Sequence, residues 1–280
     1  MFPKLFNNKN PSFFQCEICE LTKRHRASFP PQTYKNSKPF TMIHSDVWGL
    51  SRVVTPSGKR WFITFIDDHT KVSWVFLLNE KSNAKQVFKK FYTMVQTQFQ
   101  TQIQIFRSDN RKEYFNSILG NFFDEKDIVH QNSCNNTPQQ NGMAERKNKH
   151  LLKVAQALSF STKVPKYLWG EAVLTAIYLI NRMPSRILKF KTPLNVFKEC
   201  FPNSRLFVDV PLKIFRCIAF VNIYDHKRGK LDPKARKCIF VGYPSNQKGY
   251  KCFDPLTKKL FVTMDVTFFE NKNYYMNSHL

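Results

Sequence analysis

The chain has 280 residues and a formal net charge of +24 at neutral pH, from 44 Lys and Arg residues against 20 acidic ones. This balance excludes a disordered acidic tail and a charge-neutral scaffold. Hydrophobic residues make up 42% of the chain, enough for one large domain or two modest ones. No apolar run approaches the roughly 18 residues that span a bilayer, and the first residues lack the apolar core of a secretory signal. We therefore expect a soluble, intracellular protein without a membrane partner.

Positive charge in this excess is typical of proteins that bind a polyanion, because cations that neutralise phosphates release condensed counterions. Nucleic acid is therefore the expected partner. The alternative explanation of the charge is drift toward A/T-rich codons, which encode Lys, Asn and Phe. The segment 226–237 holds six Lys or Arg residues and one acid. It is expected to contact the DNA backbone through Lys227, Arg228 and Lys230, without base specificity. The alternative for this segment is a solvated loop.

The first 40 residues are polar, contain five prolines and carry a basic cluster at 23–26, which indicates a tail and linker. The chain has seven cysteines, an odd number spread over its whole length. Such a distribution is typical of a reducing compartment rather than of a disulfide framework. Only Cys16 and Cys19 form a close pair.

From Thr41 onward, runs rich in β-branched and aromatic residues alternate with short turns. Three of these runs predict adjacent antiparallel strands at 41–48, 61–66 and 72–78. Apolar residues at helical spacing then predict a helix over 81–98. Two further strands, at 103–108 and 128–131, enclose a short helix at 118–126. A meander followed by alternating strands and helices predicts an α/β fold, with a mixed five-stranded sheet covered by helices on both faces.

A longer helix is predicted after a capping box at 137–140, or two to three residues later because Gly142 weakens its start. Its polar face carries Glu145, Lys149 and Lys153, which fall within about 80° of one another. A second helix is predicted over 165–182. The later part of the chain predicts short strands, which we assign to a small β-rich C-terminal appendage. Those strands are expected at 215–221, 237–243, 249–253 and 260–269.

Three carboxylates occupy informative positions in this pattern. Asp46 lies in the first strand, Asp109 at the end of the fourth, and Glu145 near the start of the long helix. Brought together, they would repel one another unless cations neutralised them. Hard oxygen ligands of this kind suit Mg²⁺ or Mn²⁺, and two such ions stabilise both oxygens of an in-line phosphoryl displacement. The alternative is that each acid separately caps a turn or pairs with a lysine. Asp67 and Asp68 directly follow an apolar strand, and a turn role explains them better.

Three groups of motif residues carry a family resemblance: 44–49 (HSDVWG), 107–110 (RSDN) with Glu113 and Tyr114, and 137–148 (TPQQNGMAERKN). Together they resemble the integrase of copia-type LTR retrotransposon polyproteins. The 35 residues between Asp109 and Glu145 match the D,D-35-E spacing of retroviral and retrotransposon integrases. The resemblance continues downstream through 178–182 (YLINR), 230–233 (KLDP), 238–243 (CIFVGY) and 265–268 (DVTF).

The resemblance implies an RNase H-like core over 41–204, which trims the 3′ ends of element cDNA and joins them to target DNA. Asp46, Asp109 and Glu145 match the family's catalytic metal ligands, and two Mg²⁺ or Mn²⁺ ions are implied. Lys149 matches a position that contacts the donor DNA end, and we add Arg146 and Lys153 as expected DNA contacts. Homo-oligomers acting on paired DNA ends in the nucleus are also implied.

The sequence departs from the family in two places. Family members carry a His pair upstream of the Cys-x-x-Cys, whereas no His precedes Cys16. Residues 1–40 are therefore interpreted as a truncated zinc-finger remnant and basic linker, with Cys16 and Cys19 as an incomplete zinc site. The N-terminus is accordingly expected to be truncated relative to a longer polyprotein. Bulky, charged Arg111 and Lys112 follow Asp109–Asn110, where the family has small residues.

Three functions remain open from the sequence. The first is a metal-dependent polynucleotidyl transferase of the integrase type, with residues 205–280 as its β-rich C-terminal domain. The second is a catalytically decayed remnant that binds DNA without cleaving it. The third is a ribonuclease H-like hydrolase, which is disfavoured because the segment 140–148 resembles integrases specifically.

Overall fold

The computed structural model describes residues 37–109, 117–132, 141–160, 165–204, 210–224, 230–245 and 247–274, all within one compact unit, Ser37–Leu280. Over these residues the chain forms two five-stranded sheets and five α-helices. The elements in chain order are β1 (Met42–Trp48), β2 (Trp61–Asp67), β3 (Ser73–Leu78), α1 (Ala84–Phe99), β4 (Ile105–Ser108), α2 (Ser117–Glu125), β5 (Val129–Asn132), α3 (Gly142–Phe160), α4 (Trp169–Ile180), α5 (Pro193–Cys200), β6 (Cys217–Asn222), β7 (Ala235–Gly242), β8 (Tyr250–Asp254), β9 (Lys259–Thr263) and β10 (Val266–Asn273).

The first sheet is mixed and has the strand order β3-β2-β1-β4-β5. Strands β1, β2 and β3 form the predicted antiparallel meander, whereas β4 pairs parallel to β1 and β5 pairs parallel to β4. A parallel pair needs a crossover connection, and α1 and α2 lie in the connections that lead to β4 and β5. The predicted mixed five-stranded sheet is therefore confirmed.

One face of this sheet is closed by an aromatic core. Phe88, Phe91 and Val95 recur at helical spacing on the buried side of α1. The Phe91 ring stacks on Phe65 of β2, with ring centroids 4.5 Å apart. Phe197 of α5 is fully buried in the same cluster. The aromatic residues of this region thus serve as core, because their large apolar surfaces remove much area from water.

The opposite face of the first sheet packs against α3 and α4. Leu151 of α3 and Ala176 of α4 are fully buried there. The same hydrophobic cluster also contains Val241 of β7 and Phe253 of β8. The predicted C-terminal appendage is therefore an antiparallel sheet that shares a core with the helices of the first sheet. In the part of the chain that the structure describes, no helix combines the length and apolar character needed to cross a bilayer.

The second sheet has the strand order β10-β6-β7-β8-β9. The single strand predicted over 260–269 is wrong: β9 and β10 are separate strands that pair with β8 and β6, at opposite edges of the sheet. The backbone changes direction after Thr263, whose Oγ1 accepts a hydrogen bond from Asp265 N at 2.9 Å. The largely apolar composition of 260–269 hides this break, because the break depends on pairing partners distant in sequence.

Helix α5 was not among the predicted elements, although its start has a recognisable signal. Thr192 Oγ1 accepts a hydrogen bond from Asn195 N at 3.0 Å, and Pro193 occupies the first turn. A Thr N-cap followed by Pro at the first helical position is a common way to begin a helix.

Gly242 provides a test of how the second sheet packs against α4. Its φ is +129°, and an added Cβ would overlap Thr175 Oγ1, which donates to the Val241 carbonyl at 3.0 Å. We expect Gly242→Ala to lower the free energy of unfolding by about 3 kcal/mol, from the left-handed backbone and the steric overlap together. Gly58→Ala is the matched control, because Gly58 has φ +77° and open space at its Cβ position. Urea titration should show a loss of only about 1 kcal/mol for Gly58→Ala. Equal losses would contradict the packing described here.

Candidate active site

Asp46 lies on the central strand β1, on the sheet face that α3 covers. Its side chain is held by a short chain of hydrogen bonds. Asn148 of α3 donates from Nδ2 to Asp46 Oδ2 at 2.9 Å. Thr64, the β2 residue directly opposite Asp46, donates from Oγ1 to Asn148 Oδ1 at 2.6 Å. Asp46 is only 9% exposed, so its carboxylate orientation is set by these neighbours.

Asp109 directly follows the last residue of β4. The parallel register pairs His44 of β1 with Arg107 of β4, and continuing it by two residues brings Asp109 level with Asp46. The end of β4 is anchored by Ser108, whose Oγ lies 2.8 Å from His130 Nε2 of β5. Burial lowers the pKa of His130 to about 4, so this imidazole is neutral at pH 7. The two acids therefore lie on adjacent strands, toward the C-terminal end of each strand.

Helix α3 begins at Gly142, and its first two turns lie over this end of the strands. Asn141, just before the helix, donates from Nδ2 to the Ser45 carbonyl at 3.1 Å. Glu145 lies three residues before Asn148, and residues at this spacing are neighbours on a helix surface. Asn148 is buried and faces Asp46, whereas Glu145 is exposed. The helix therefore brings Glu145 to the region of Asp46 while leaving its side chain in solvent.

The three carboxylates do not surround one point in this arrangement. Among the residues that the structure describes, no group of three or more His, Cys, Asp or Glu side chains is close enough to hold a metal ion. Asp46 and Asp109 fit a divalent cation by donor chemistry and by their adjacent strand positions. The joint ligand role of Asp46, Asp109 and Glu145 stays a prediction.

The predicted DNA contacts on α3 point outward. Arg146, Lys149 and Lys153 are all exposed, on the helix that carries Glu145. Lys230, at the start of a described segment, is also exposed. Lys227, Arg228 and the cysteines Cys16 and Cys19 lie outside the described residues, as does the capping box at 137–140. The described cysteines are free thiols, and three of them are buried in the second sheet: Cys217, Cys238 and Cys252.

A buried polar network behind Asp46 was not predicted. His44, two residues before Asp46, places Nε2 3.1 Å from Asp68 Oδ1, and Lys71 Nζ lies 3.1 Å from the same oxygen. Lys147 of α3 donates to the Lys71 carbonyl at 3.5 Å. Burial, with Lys71 nearby, lowers the pKa of Lys147 to about 8. This network ties the turn between β2 and β3 to the first turns of α3.

The turn itself depends on Asp67, in agreement with the predicted turn role of Asp67 and Asp68. Asp67 accepts hydrogen bonds from Thr70 N at 2.8 Å, Thr70 Oγ1 at 2.7 Å and Phe40 N at 2.8 Å. Burial raises the pKa of this carboxyl, and the hydrogen bonds oppose that rise. Both acids are thus engaged in structural contacts.

Asp68 gives the network a pH dependence. Burial alone would raise its pKa, but His44 and Lys71 hold the pKa well below its usual range. A depressed folded-state pKa stabilises the protein above the unfolded pKa of about 3.9, and this stabilisation is lost as the pH falls through the folded value. We therefore expect Asp68→Asn to reduce the free energy of unfolding at pH 7, with the difference from the parent chain shrinking below about pH 4. Urea titrations at several pH values measure this difference, with Asp124→Asn, an exposed acid in α2, as the control. A difference that does not change with pH would contradict the assigned role.

A mixed β3-β2-β1-β4-β5 sheet with helices on both faces, one acid within β1 and a second directly after the adjacent strand β4, is the RNase H-like fold of integrase catalytic cores. Residues 36–138 match the family described as "Integrase core domain", and residues 217–279 match the "Retroviral polymerase SH3-like domain". The chain is therefore similar to an integrase core over one segment and to a retroviral SH3-like domain over another.

Curated relatives at more than 30% identity are retrotransposon polyproteins. The chain is 36% identical over 259 residues to the retrovirus-related Pol polyprotein from transposon TNT 1-94 of Nicotiana tabacum, covering 92% of this chain and 19% of the relative. It is 33% identical over 264 residues to the corresponding polyprotein from transposon RE1 of Arabidopsis thaliana, covering 94% and 18%. The chain thus spans about a fifth of the length of these relatives.

A solved structure supports the fold over most of the chain. A chain of the cryoEM structure of the simian T-cell lymphotropic virus intasome, in complex with PP2A regulatory subunit B56 gamma, superposes with a TM-score of 0.51. The match covers 90% of this chain and 87% of that chain at 13% identity. It shows a shared fold.

Proposed function

We propose that this chain is the integrase segment of a copia-type retrotransposon polyprotein, which catalyses 3′-end processing and strand transfer of element cDNA into target DNA. One observation carries the proposal. Asp46 and Asp109 come from the paired strands β1 and β4, with Asp109 level with Asp46 if the register is continued by two residues, and Asn148, three residues after Glu145, donates directly to Asp46. Acids separated by 62 and 35 residues in the sequence therefore come from three contacting elements.

The proposal assigns Asp46, Asp109 and Glu145 as ligands of Mg²⁺ or Mn²⁺. When bound, such ions activate a water or a 3′-hydroxyl and stabilise the leaving oxygen of a phosphodiester. The chain's own contribution is to orient the carboxylates. For Asp46 this is done by the hydrogen bond from Asn148. Glu145 is exposed on α3 and completes the ligand set from the solvent side of the site.

The proposed substrate is DNA, which matches the net charge of +24. Arg146, Lys149 and Lys153 lie on the helix that carries Glu145, so phosphates held there would approach the acids. Lys227, Arg228 and Lys230 are proposed to hold the backbone further along the duplex. We propose that the protein acts as a homo-oligomer in the nucleus, where paired cDNA ends meet the target.

The proposal is tested by incubating the purified chain with a labelled duplex that ends in the element's terminal sequence. We expect a shortened 3′ strand on a denaturing gel when Mn²⁺ or Mg²⁺ is present, and no product after chelation by EDTA. An identical product in EDTA would contradict a metal-dependent reaction. Added target duplex is expected to yield joined strands.

A second candidate function is favoured by the exposed position of Glu145 and by the absence of a three-ligand group among the described side chains. In this alternative the chain is a catalytically decayed remnant that keeps the fold and the positive charge. It would bind DNA with a steep dependence on salt concentration and would cleave no strand at any metal concentration. The same gel assay, combined with DNA binding at several salt concentrations, distinguishes the two functions.

A further inference from the structure

A cavity of about 610 Å³ lies between the two sheets, away from the acids of the candidate active site. Its described lining residues come from β3, from α1, from the end of α4, from residues 203, 204 and 210, and from the described residues of 243–251. Its volume is within the range of roughly 300–1,000 Å³ that small-molecule sites occupy. None of its described lining residues belongs to the candidate active site, so a ligand in the cavity would bind at a separate site.

The lining of the cavity has one sign of charge. Its described lining residues include Arg182, Lys248 and Lys251 and contain no Asp or Glu. Lys251 is held in place by Glu171, outside the lining, with Nζ 2.9 Å from Oε2. A cleft with cationic walls favours an anionic ligand, because the low dielectric of its walls strengthens the field inside.

Arg182 is fixed before any ligand arrives. Its guanidinium carbon lies 3.5 Å from the centroid of the Tyr178 ring, and its Nη1 donates to the Tyr178 carbonyl at 3.2 Å. Tyr178 in turn stacks on Tyr243, with centroids 3.9 Å apart and an interplanar angle of 12°. A guanidinium held in this way loses little side-chain entropy when it binds phosphate, and its planar face also stacks on nucleobases.

Apolar side chains form a further part of the lining, beside polar residues such as Gln98, Asn181 and Asn203. Val75 of β3 and Leu174 and Ile177 of α4 contribute aliphatic surface, and aromatic carbon comes from Phe76. A simple inorganic anion would leave this surface without a partner. The lining therefore offers cationic, polar and apolar groups together, which matches a ligand that carries both an anionic group and a ring with polar edges.

From this combination we infer that the cavity binds a nucleotide, with its phosphate on Arg182 and its base against the apolar wall. The nucleotide has two sources with the same chemistry: a free mononucleotide, or a nucleotide within a single strand of DNA. The inference does not depend on the integrase reaction, because binding here uses none of the three acids. It can therefore fail or succeed separately from the proposed function.

The test measures binding to the full chain by calorimetry, with dAMP, deoxyadenosine and a short single-stranded oligodeoxynucleotide as probes. We expect Arg182→Gln to weaken the binding of dAMP or of the oligonucleotide by about tenfold or more, because a charged hydrogen bond to phosphate is lost. Arg186→Gln is the matched control, since Arg186 is exposed, carries the same charge and is not among the lining residues. That variant is expected to bind within about twofold of the parent chain.

The outcomes separate the two sources and the failure of the inference. Binding of dAMP identifies a free nucleotide site, whereas binding of the oligonucleotide alone identifies a strand site. Lys248→Gln, at an exposed rim position, provides a second test that leaves folding intact and is expected to weaken the same probe. If neither dAMP nor the oligonucleotide binds, the inference is overturned. The inference would also be overturned if the Arg182 and Arg186 variants weakened binding equally, or if dAMP bound with no higher affinity than deoxyadenosine.

Discussion

Replacing Asp109 by Asn is expected to lower the rate of metal-dependent 3′-end cleavage by about 10³-fold, because a metal ligand contributes several kcal/mol to the stabilisation of the transition state. The substitution keeps the size of the side chain, removes its charge and replaces one acceptor oxygen by an NH₂ donor. DNA affinity should stay within about twofold, since phosphate contacts by exposed lysines and arginines dominate binding.

The control for this variant is Asp124→Asn, which removes the same charge from an exposed position in α2. Single-turnover cleavage rates and fluorescence anisotropy of labelled DNA measure the two quantities separately. If Asp109→Asn and Asp124→Asn cleave equally fast, Asp109 is not a metal ligand. If Asp109→Asn loses DNA binding together with cleavage, its role is in folding or in DNA contact.

The second large effect is expected from the hydrogen bonds that orient Asp46. Asn148→Ala removes the donor to Asp46 Oδ2 and leaves the Thr64 hydroxyl without its acceptor. Groups that orient metal ligands typically contribute 10–100-fold to metal affinity or activity. We therefore expect cleavage to fall by about 10–100-fold, with a higher Mn²⁺ concentration needed for the half-maximal rate.

Thr64 separates this positioning role from a general loss of structure. Thr64→Val removes the hydroxyl but keeps the volume, so it should reduce cleavage and raise the Mn²⁺ requirement, whereas Thr64→Ser should restore both. Thr93→Val, at an exposed position of α1, is the control for the substitution itself. A Thr64→Val variant with the Mn²⁺ dependence of the parent chain would contradict the positioning role.

The elements of the first sheet could be predicted because their signals are local. Runs of β-branched and aromatic residues marked β1 to β3, and residues such as Ala84, Phe88 and Phe91 repeated with the period of a helix. Helix α5 also had a local signal, the Thr192 N-cap followed by Pro193, although the helix was not predicted. The division between β9 and β10 could not be read in this way, because it depends on pairing with β8 and β6.

The candidate site was predictable only in part. The motif spacing identified Asp46, Asp109 and Glu145, but the pairing of β1 with β4, which puts the first two on adjacent strands, depends on contacts between residues distant in sequence. Asn148 was overlooked although it left a trace in the sequence. It is a polar residue at a position of the buried stripe formed by Ala144, Leu151 and Ala155, and a buried amide requires partners.

The central claim is that Asp46, Asp109 and Glu145 together hold divalent cations, and Mn²⁺ binding tests it most directly. Electron paramagnetic resonance of free Mn²⁺ measures the number of ions bound by the complex of this chain with DNA. The account predicts two bound ions for the parent chain, with binding lost when Asp46, Asp109 and Glu145 are replaced by Asn, Asn and Gln. Unchanged Mn²⁺ binding by this triple variant, at equal DNA occupancy, would contradict the account.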